Sequence, residues 1–140
     1  MAPACRQTLP PTLLLDLDDT ILDDDIHANE CWLELITNGE AAAQRLKIAR
    51  FNLADYFQVI VIEGEFGCGK PDERVYRRAL DALDAKPART WMVGDSLIND
   101  VLAPQRLGLT GVWVNPAGRS LPSGAAERPA HIIRALAELV

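Results

Sequence analysis

Short apolar runs that end in polar clusters recur along this chain, and helix-like stretches fall between them. TLLLDL (residues 12–17) leads into Asp16-Leu17-Asp18, and LELIT (residues 33–37) leads into Thr37-Asn38-Gly39. VIVI (residues 59–62), TWMVG (residues 90–94) and TGVWV (residues 110–114) are apolar and rich in β-branched residues. Such runs suit strands covered on both faces. Helical patterning covers about residues 40–50, 72–84, 97–107 and 129–139, with Pro71 and Gly108 as boundary marks. Alternation at this spacing means βαβ units. The predicted fold is α/β, a three-layer Rossmann-like sandwich around a mostly parallel five-stranded sheet. Pro104 is an oddity, because inside the third helix it removes a backbone hydrogen bond.

Composition narrows the class. With 140 residues, 49% hydrophobic and 24% charged, the chain reads as one domain (1–140) with enough apolar surface for a real core. Residues 1–11, broken by prolines, read as a loose lead-in without the apolar centre of a secretory signal. No apolar run reaches the roughly 18–20 residues that cross a bilayer, so a cytoplasmic protein with no membrane partner is expected. Cys5, Cys31 and Cys68 form no CxxC pair, and reduced thiols are the expectation. A net charge of −6 argues against nucleic acid as a partner. It also means that an anionic substrate needs a local positive centre.

The polar tips suggest what that centre is. In a parallel doubly wound sheet the site lies beyond the carboxyl ends of the strands, where Asp16, Asp18, Thr37, Asn38 and Asp95 all fall. Asp16 and Asp18 repel each other unless a cation is near, and hard carboxylate oxygens suit Mg2+. Asp95 offers a further acidic ligand, and Asn99-Asp100, one helical turn on, can orient metal-bound waters or a lysine. Each aspartate is equally at home as an ordinary turn or cap residue. The Thr37 hydroxyl and the free N–H groups of the following helix make a seat for phosphate, or else a plain N-cap. Lys70, in GCGKPD ahead of a helix, is a point cation able to neutralise phosphate or a carboxylate, or else a surface turn residue.

Order and placement together favour the chemical readings. Asp16-Leu17-Asp18-Asp19-Thr20, then Thr37-Asn38, then Gly69-Lys70-Pro71-Asp72, then Gly94-Asp95-Ser96-Leu97-Ile98-Asn99-Asp100 resemble the haloacid dehalogenase-like hydrolase superfamily, over residues 12–116. The resemblance implies Asp16 as nucleophile and Asp18 as the acid and base that serves the leaving group and then water. It implies Thr37, Asn38 and Lys70 around the phosphoryl group. Mg2+ would be held by Asp16, the Asp18 carbonyl and Asp95, with Asp100 and Asn99 in support. An aspartate at position 18 fits phosphatases rather than dehalogenases. The implied function is Mg2+-dependent hydrolysis of phosphate monoesters through an aspartyl-phosphate. The implied substrate is a small phosphorylated metabolite or a phosphorylated macromolecule.

The relatives that the chain resembles insert a helical cap between the first two motifs. Here only fifteen residues, Asp18 to Trp32, are available. A turn over residues 21–25 and a two-turn helix over 26–32 would suffice for the crossover. Trp32 and Trp113 are then expected to be unusually exposed, and an uncovered site face favours self-association. The alternative is a non-catalytic module that binds phosphate, metal or a protein partner. A phosphomutase would need the cap, and a response-regulator receiver carries its acidic pair, phosphoacceptor and lysine in a different order.

Overall fold

The computed structural model describes residues 9–18, 20 and 31–139. Among these residues six strands pair in parallel in a single sheet: β1 (Thr12–Leu15), β2 (Trp32–Thr37), β3 (Val59–Ile62), β4 (Thr90–Gly94), β5 (Thr110–Val114) and β6 (His131–Ile133). Their order is β3-β2-β1-β4-β5-β6. Parallel neighbours require each connection to cross a face, and the crossovers carry α1 (Ala41–Arg50), α2 (Glu63–Phe66), α3 (Glu73–Ala82) and α4 (Ala103–Arg106). Strand alternation divides the core in two. Leu13, Leu15, Leu33, Leu35 and Val93 pack with Ile48 of α1 on one face. Leu14, Ile36, Val61 and Met92 pack with Val75, Tyr76 and Ala79 of α3 and Ala103 of α4 on the other. The three layers are as predicted. Among the described residues no helix is long and apolar enough to cross a membrane.

The expectation of five strands falls short by one, and the expected helix over residues 129–139 is absent. That segment forms β6 and a single 3-10 turn, Leu136–Leu139. Edge pairing overrides the helical pattern. The Asn115 N–H donates to the Ile133 carbonyl at 2.7 Å, Ile133 is buried, and the His131 ring lies 5.0 Å from that of Trp91. Trp32 belongs to β2 rather than to a preceding helix and is 56% exposed, whereas Trp113 is buried, against expectation. The turn over 21–25 and the rest of the helix over 26–32 lie outside the described residues, as do Cys5 and residues 1–8 of the lead-in. Among the described residues neither Cys31 nor Cys68 forms a disulfide.

Pro104 has an explanation in the local helix type. Residues Leu97–Leu102 form a π-helical stretch, in which the Ala103 N–H donates to the Ile98 carbonyl, five residues back. A donor at position 104 would reach Asn99 in the same register, and proline has none. The Tyr76 hydroxyl donates to the Asn99 carbonyl instead. The proline and the tyrosine are complementary, and the freed carbonyl is satisfied.

One residue of β2 breaks the apolar rule. Glu34 is fully buried on the α3 face, and among the described residues neither carboxylate oxygen has a hydrogen-bond partner. Burial pushes its pKa up to about 8, with Arg78 of α3 opposing weakly. Below the ordinary carboxyl range both folded and unfolded chains hold the proton and nothing is lost. Between that range and about 8 the unfolded chain releases it first, so stability falls as pH rises. The full loss is about 5 kcal/mol. Glu34→Leu is expected to remove this decline. Urea denaturation at pH 5 and pH 8.5 should show a larger gain at the higher pH, and an equal gain at both would refute a buried, protonated Glu34.

Candidate active site

The order of strands reverses between β1 and β4, and the crevice beyond their carboxyl ends is where such sheets hold ligands. Two motifs meet there. Leu15 is in register with Val93, and the Asp16 N–H donates to the Val93 carbonyl at 3.0 Å. Asp16 and Asp95, both just past their strands, are thereby brought side by side. Asp100 joins them from the π-helical stretch. One carboxylate oxygen of each of Asp16, Asp95 and Asp100 lies within 4.8 Å of the others. Gly94 makes the approach possible, since a Cβ there would fall 2.3 Å from the Asp100 carboxylate. Asp100 is fixed further by the Ser96 N–H, which donates to its Oδ2 at 3.0 Å.

Lys70 lies among these acids. Its Nζ donates to Asp16 Oδ1 at 2.8 Å and to Asp100 Oδ1 at 2.7 Å, and its side chain is almost wholly buried. Burial opposes its charge, but Asp100 and Asp16 outweigh that and hold its pKa above the usual lysine range. Burial drives the Asp100 carboxyl upward, against the pull of Lys70. Lys70 thus pairs with two of the three acids, Asp16 and Asp100. The donors are all hard oxygens. The cluster therefore fits Mg2+ or a similar ion.

Asn38 sets the lysine loop in place. Its Nδ2 donates to the Lys70 carbonyl and its Oδ1 accepts from the Lys70 N–H, each at 2.8 Å. The loop passes so close that a Cβ on Gly69 would fall 2.6 Å from Asn38 Oδ1. The side chain of Asn38, expected at the phosphoryl group, is thus engaged in holding Lys70. Thr37 is buried, accepts from Gln44 Nε2 at 2.5 Å and donates weakly to the Asn38 carbonyl at 3.3 Å. Thr20, the last residue of the first motif, donates to Asp16 Oδ2 at 3.4 Å. Asn99 contributes backbone here: its carbonyl accepts from Tyr76 and its N–H donates to Ser96 Oγ at 3.3 Å.

The Asp18 carboxylate stands apart from the acidic cluster. Its Oδ1 accepts from Lys47 Nζ at 2.7 Å and its Oδ2 from Gln44 Nε2 at 3.2 Å. Its partial burial is outweighed by these bonds, which hold its pKa below the ordinary value. The Lys47 pair is solvent-exposed on both sides, so it adds little stability and is easily parted. Gln44 and Lys47 escaped the sequence reading, and so did the pair on the other side of the crevice. There the carbonyl of Asp95 accepts from Trp113 Nε1 at 2.9 Å and from the Arg119 guanidinium at 3.1 Å. One signal was available for the first two. Gln44 and Lys47 are three apart on α1, the helix that opens just after Thr37-Asn38-Gly39, so they share the face above the first motif.

A parallel sheet with this order, carrying acids beyond β1 and β4 and a lysine between them, is the core of a haloacid dehalogenase-like hydrolase. The family model described as HAD-hydrolase-like matches residues 67–139, just over half of the chain, and the chain belongs to that family. It is 37% identical over 106 residues to the pyrimidine 5'-nucleotidase YjjG of Escherichia coli (strain K12), covering 75% of this chain and 46% of that one. It is 35% identical over 130 residues to the N-acylneuraminate-9-phosphatase of Mus musculus, covering 88% and 52%. Among solved structures it resembles the putative HAD-hydrolase YfnB of Bacillus subtilis, whose magnesium-bound crystal form reveals interdomain movement. There the TM-score is 0.72 at 27% identity, with 79% of this chain and 48% of the other covered. The chain spans about half the length of these relatives. Between Leu15 and Trp32 there is no room for a further domain, since domains take roughly 50 residues or more.

Proposed function

We propose that the chain hydrolyses phosphate monoesters with Mg2+, through a phosphoryl group carried on Asp16. The observation that carries this reading is the convergence of Asp16, Asp95 and Asp100, whose carboxylate oxygens lie within 4.8 Å of one another, beside the buried Lys70. Asp16, Asp95 and Asp100 would hold the ion, together with the Asp18 carbonyl. When bound, the ion supplies positive charge to the phosphoryl oxygens and lets an acidic protein accept an anion.

The remaining steps belong to the chain's own residues. Thr20 and Lys70 each take one oxygen of Asp16 and orient the carboxylate. Asp16 attacks phosphorus in line, forming an O–P bond as the bond to the leaving oxygen breaks. Asp18, released from Lys47 and carrying a proton, gives it to the departing alkoxide. Water then attacks phosphorus, Asp18 takes its proton, and Asp16 is regenerated with inorganic phosphate as product. Lys70 and the Thr37 hydroxyl, turned from its weak bond to Asn38, hold the phosphoryl oxygens. Small phosphorylated metabolites are the proposed substrates, in line with the activities for which the relatives are named.

A second reading is a module that binds phosphate and metal without turnover. It draws support from the Asp18 carboxylate, both of whose oxygens are tied to α1. Turnover of an aryl phosphate decides. Release of inorganic phosphate is expected with millimolar Mg2+ and none with excess chelator. Binding of Mg2+ without any release would favour the second reading, and release that ignores the chelator would refute the metal's part in the first.

A further inference from the structure

We infer that Arg119 is a specificity residue, placed to receive a second anionic group on the leaving-group side of the phosphate ester. This rests on the phosphatase reading and deepens it. Arg119 lies in the irregular segment between β5 and β6, yet it is not loosely held. The Asn115 side chain brackets its backbone, accepting from the Arg119 N–H at 3.0 Å and donating to its carbonyl at 2.9 Å. Asn115 itself is buried, and the turn is closed by the Gly118 N–H on the Asn115 carbonyl at 3.1 Å, with Gly118 at φ +65°. The guanidinium sits over the Trp113 ring, 5.5 Å from its centroid, and places one N–H on the Asp95 carbonyl.

That carbonyl already accepts from the Trp113 indole, so Arg119 is not needed to satisfy it. A guanidinium has five N–H donors, and among the described residues the rest of its donors have no partner. The residue is exposed, at the rim of the cluster that contains Asp95. Stacking on Trp113 fixes a side chain that would otherwise lose rotamer freedom on binding. What results is a pre-oriented planar fork beside the phosphate position, of the shape that engages a carboxylate in two parallel bonds.

The test compares 4-carboxyphenyl phosphate with its neutral, nearly isosteric carbamoyl counterpart on the full chain with Mg2+. Wild type should prefer the charged probe. Arg119→Met, which keeps length and contact with Trp113, should lower the carboxy-to-carbamoyl ratio of kcat/KM by roughly three- to fivefold, as an exposed ion pair allows, mostly through KM. Arg119→Lys should keep part of the preference. An unchanged ratio in Arg119→Met overturns the inference, and so does an equal fall in kcat for both probes, which would make Arg119 a mere fastener of Asp95. If wild type hydrolyses neither probe, the phosphatase reading itself has failed and this inference goes with it.

Discussion

Asp16→Asn is expected to lose about a thousandfold or more in kcat toward an aryl phosphate while remaining folded. In the proposed role Asp16 donates an electron pair to phosphorus and leaves again as a carboxylate, and an amide oxygen does neither well. The replacement is nearly isosteric. Its carbonyl oxygen can still accept from Lys70, which keeps its second partner, Asp100. Stability should therefore change by only about 1 kcal/mol. Steady-state kinetics at saturating Mg2+, paired with a thermal melt, read both quantities. Equal turnover in the variant would remove Asp16 from the chemistry.

Removing the lysine should act on the fold as strongly as on the reaction. In Lys70→Met the carboxylates of Asp16 and Asp100, both buried, face each other without the ammonium that now bridges them. Stripping one partner from a buried ionic group costs about 3–5 kcal/mol. A divalent cation can repay part of that, because it binds the folded cluster and not the unfolded chain. At a hundred times its dissociation constant it adds about 2.7 kcal/mol. Chemical denaturation with and without Mg2+ should show a variant much weaker than wild type in chelator and rescued by the ion. A variant as stable as wild type in chelator would mean that Asp16 and Asp100 are not coupled through Lys70.

Much of this was legible in the sequence, for a definite reason. β1 to β5 are largely apolar runs in a parallel sheet covered on both faces, and such runs announce themselves. Asp16, Asp95, Asp100 and Lys70 are tied to strand ends and helix starts, so their meeting follows once the sheet is granted. β6 was not legible, because three residues carry little periodicity and the segment after them alternates like a helix. The roles of single side chains were legible only in part. Asn38 was assigned to the phosphoryl group, yet its amide is engaged with the backbone of Lys70. Gln44, Lys47 and Arg119 act across gaps of 26, 29 and 24 positions in the chain, and no local spacing reveals such pairs. The burial of Glu34 was hidden too, since one polar residue in LELIT looks like an ordinary alternation.

The exit of β1 has a consequence for anyone who would rebuild this molecule. Leu17 and Asp18 leave the sheet at the rim where Asp16 and Asp95 meet, while the chain re-enters β2 at its opposite end. A module spliced in just after Asp18 would hang over the acidic cluster, whereas one spliced into the segment between α3 and β4, which leads into the amino end of a strand, would sit on the far side. The junction is a natural socket, and grafting a foreign module there should change which molecules reach the cluster without altering its acids.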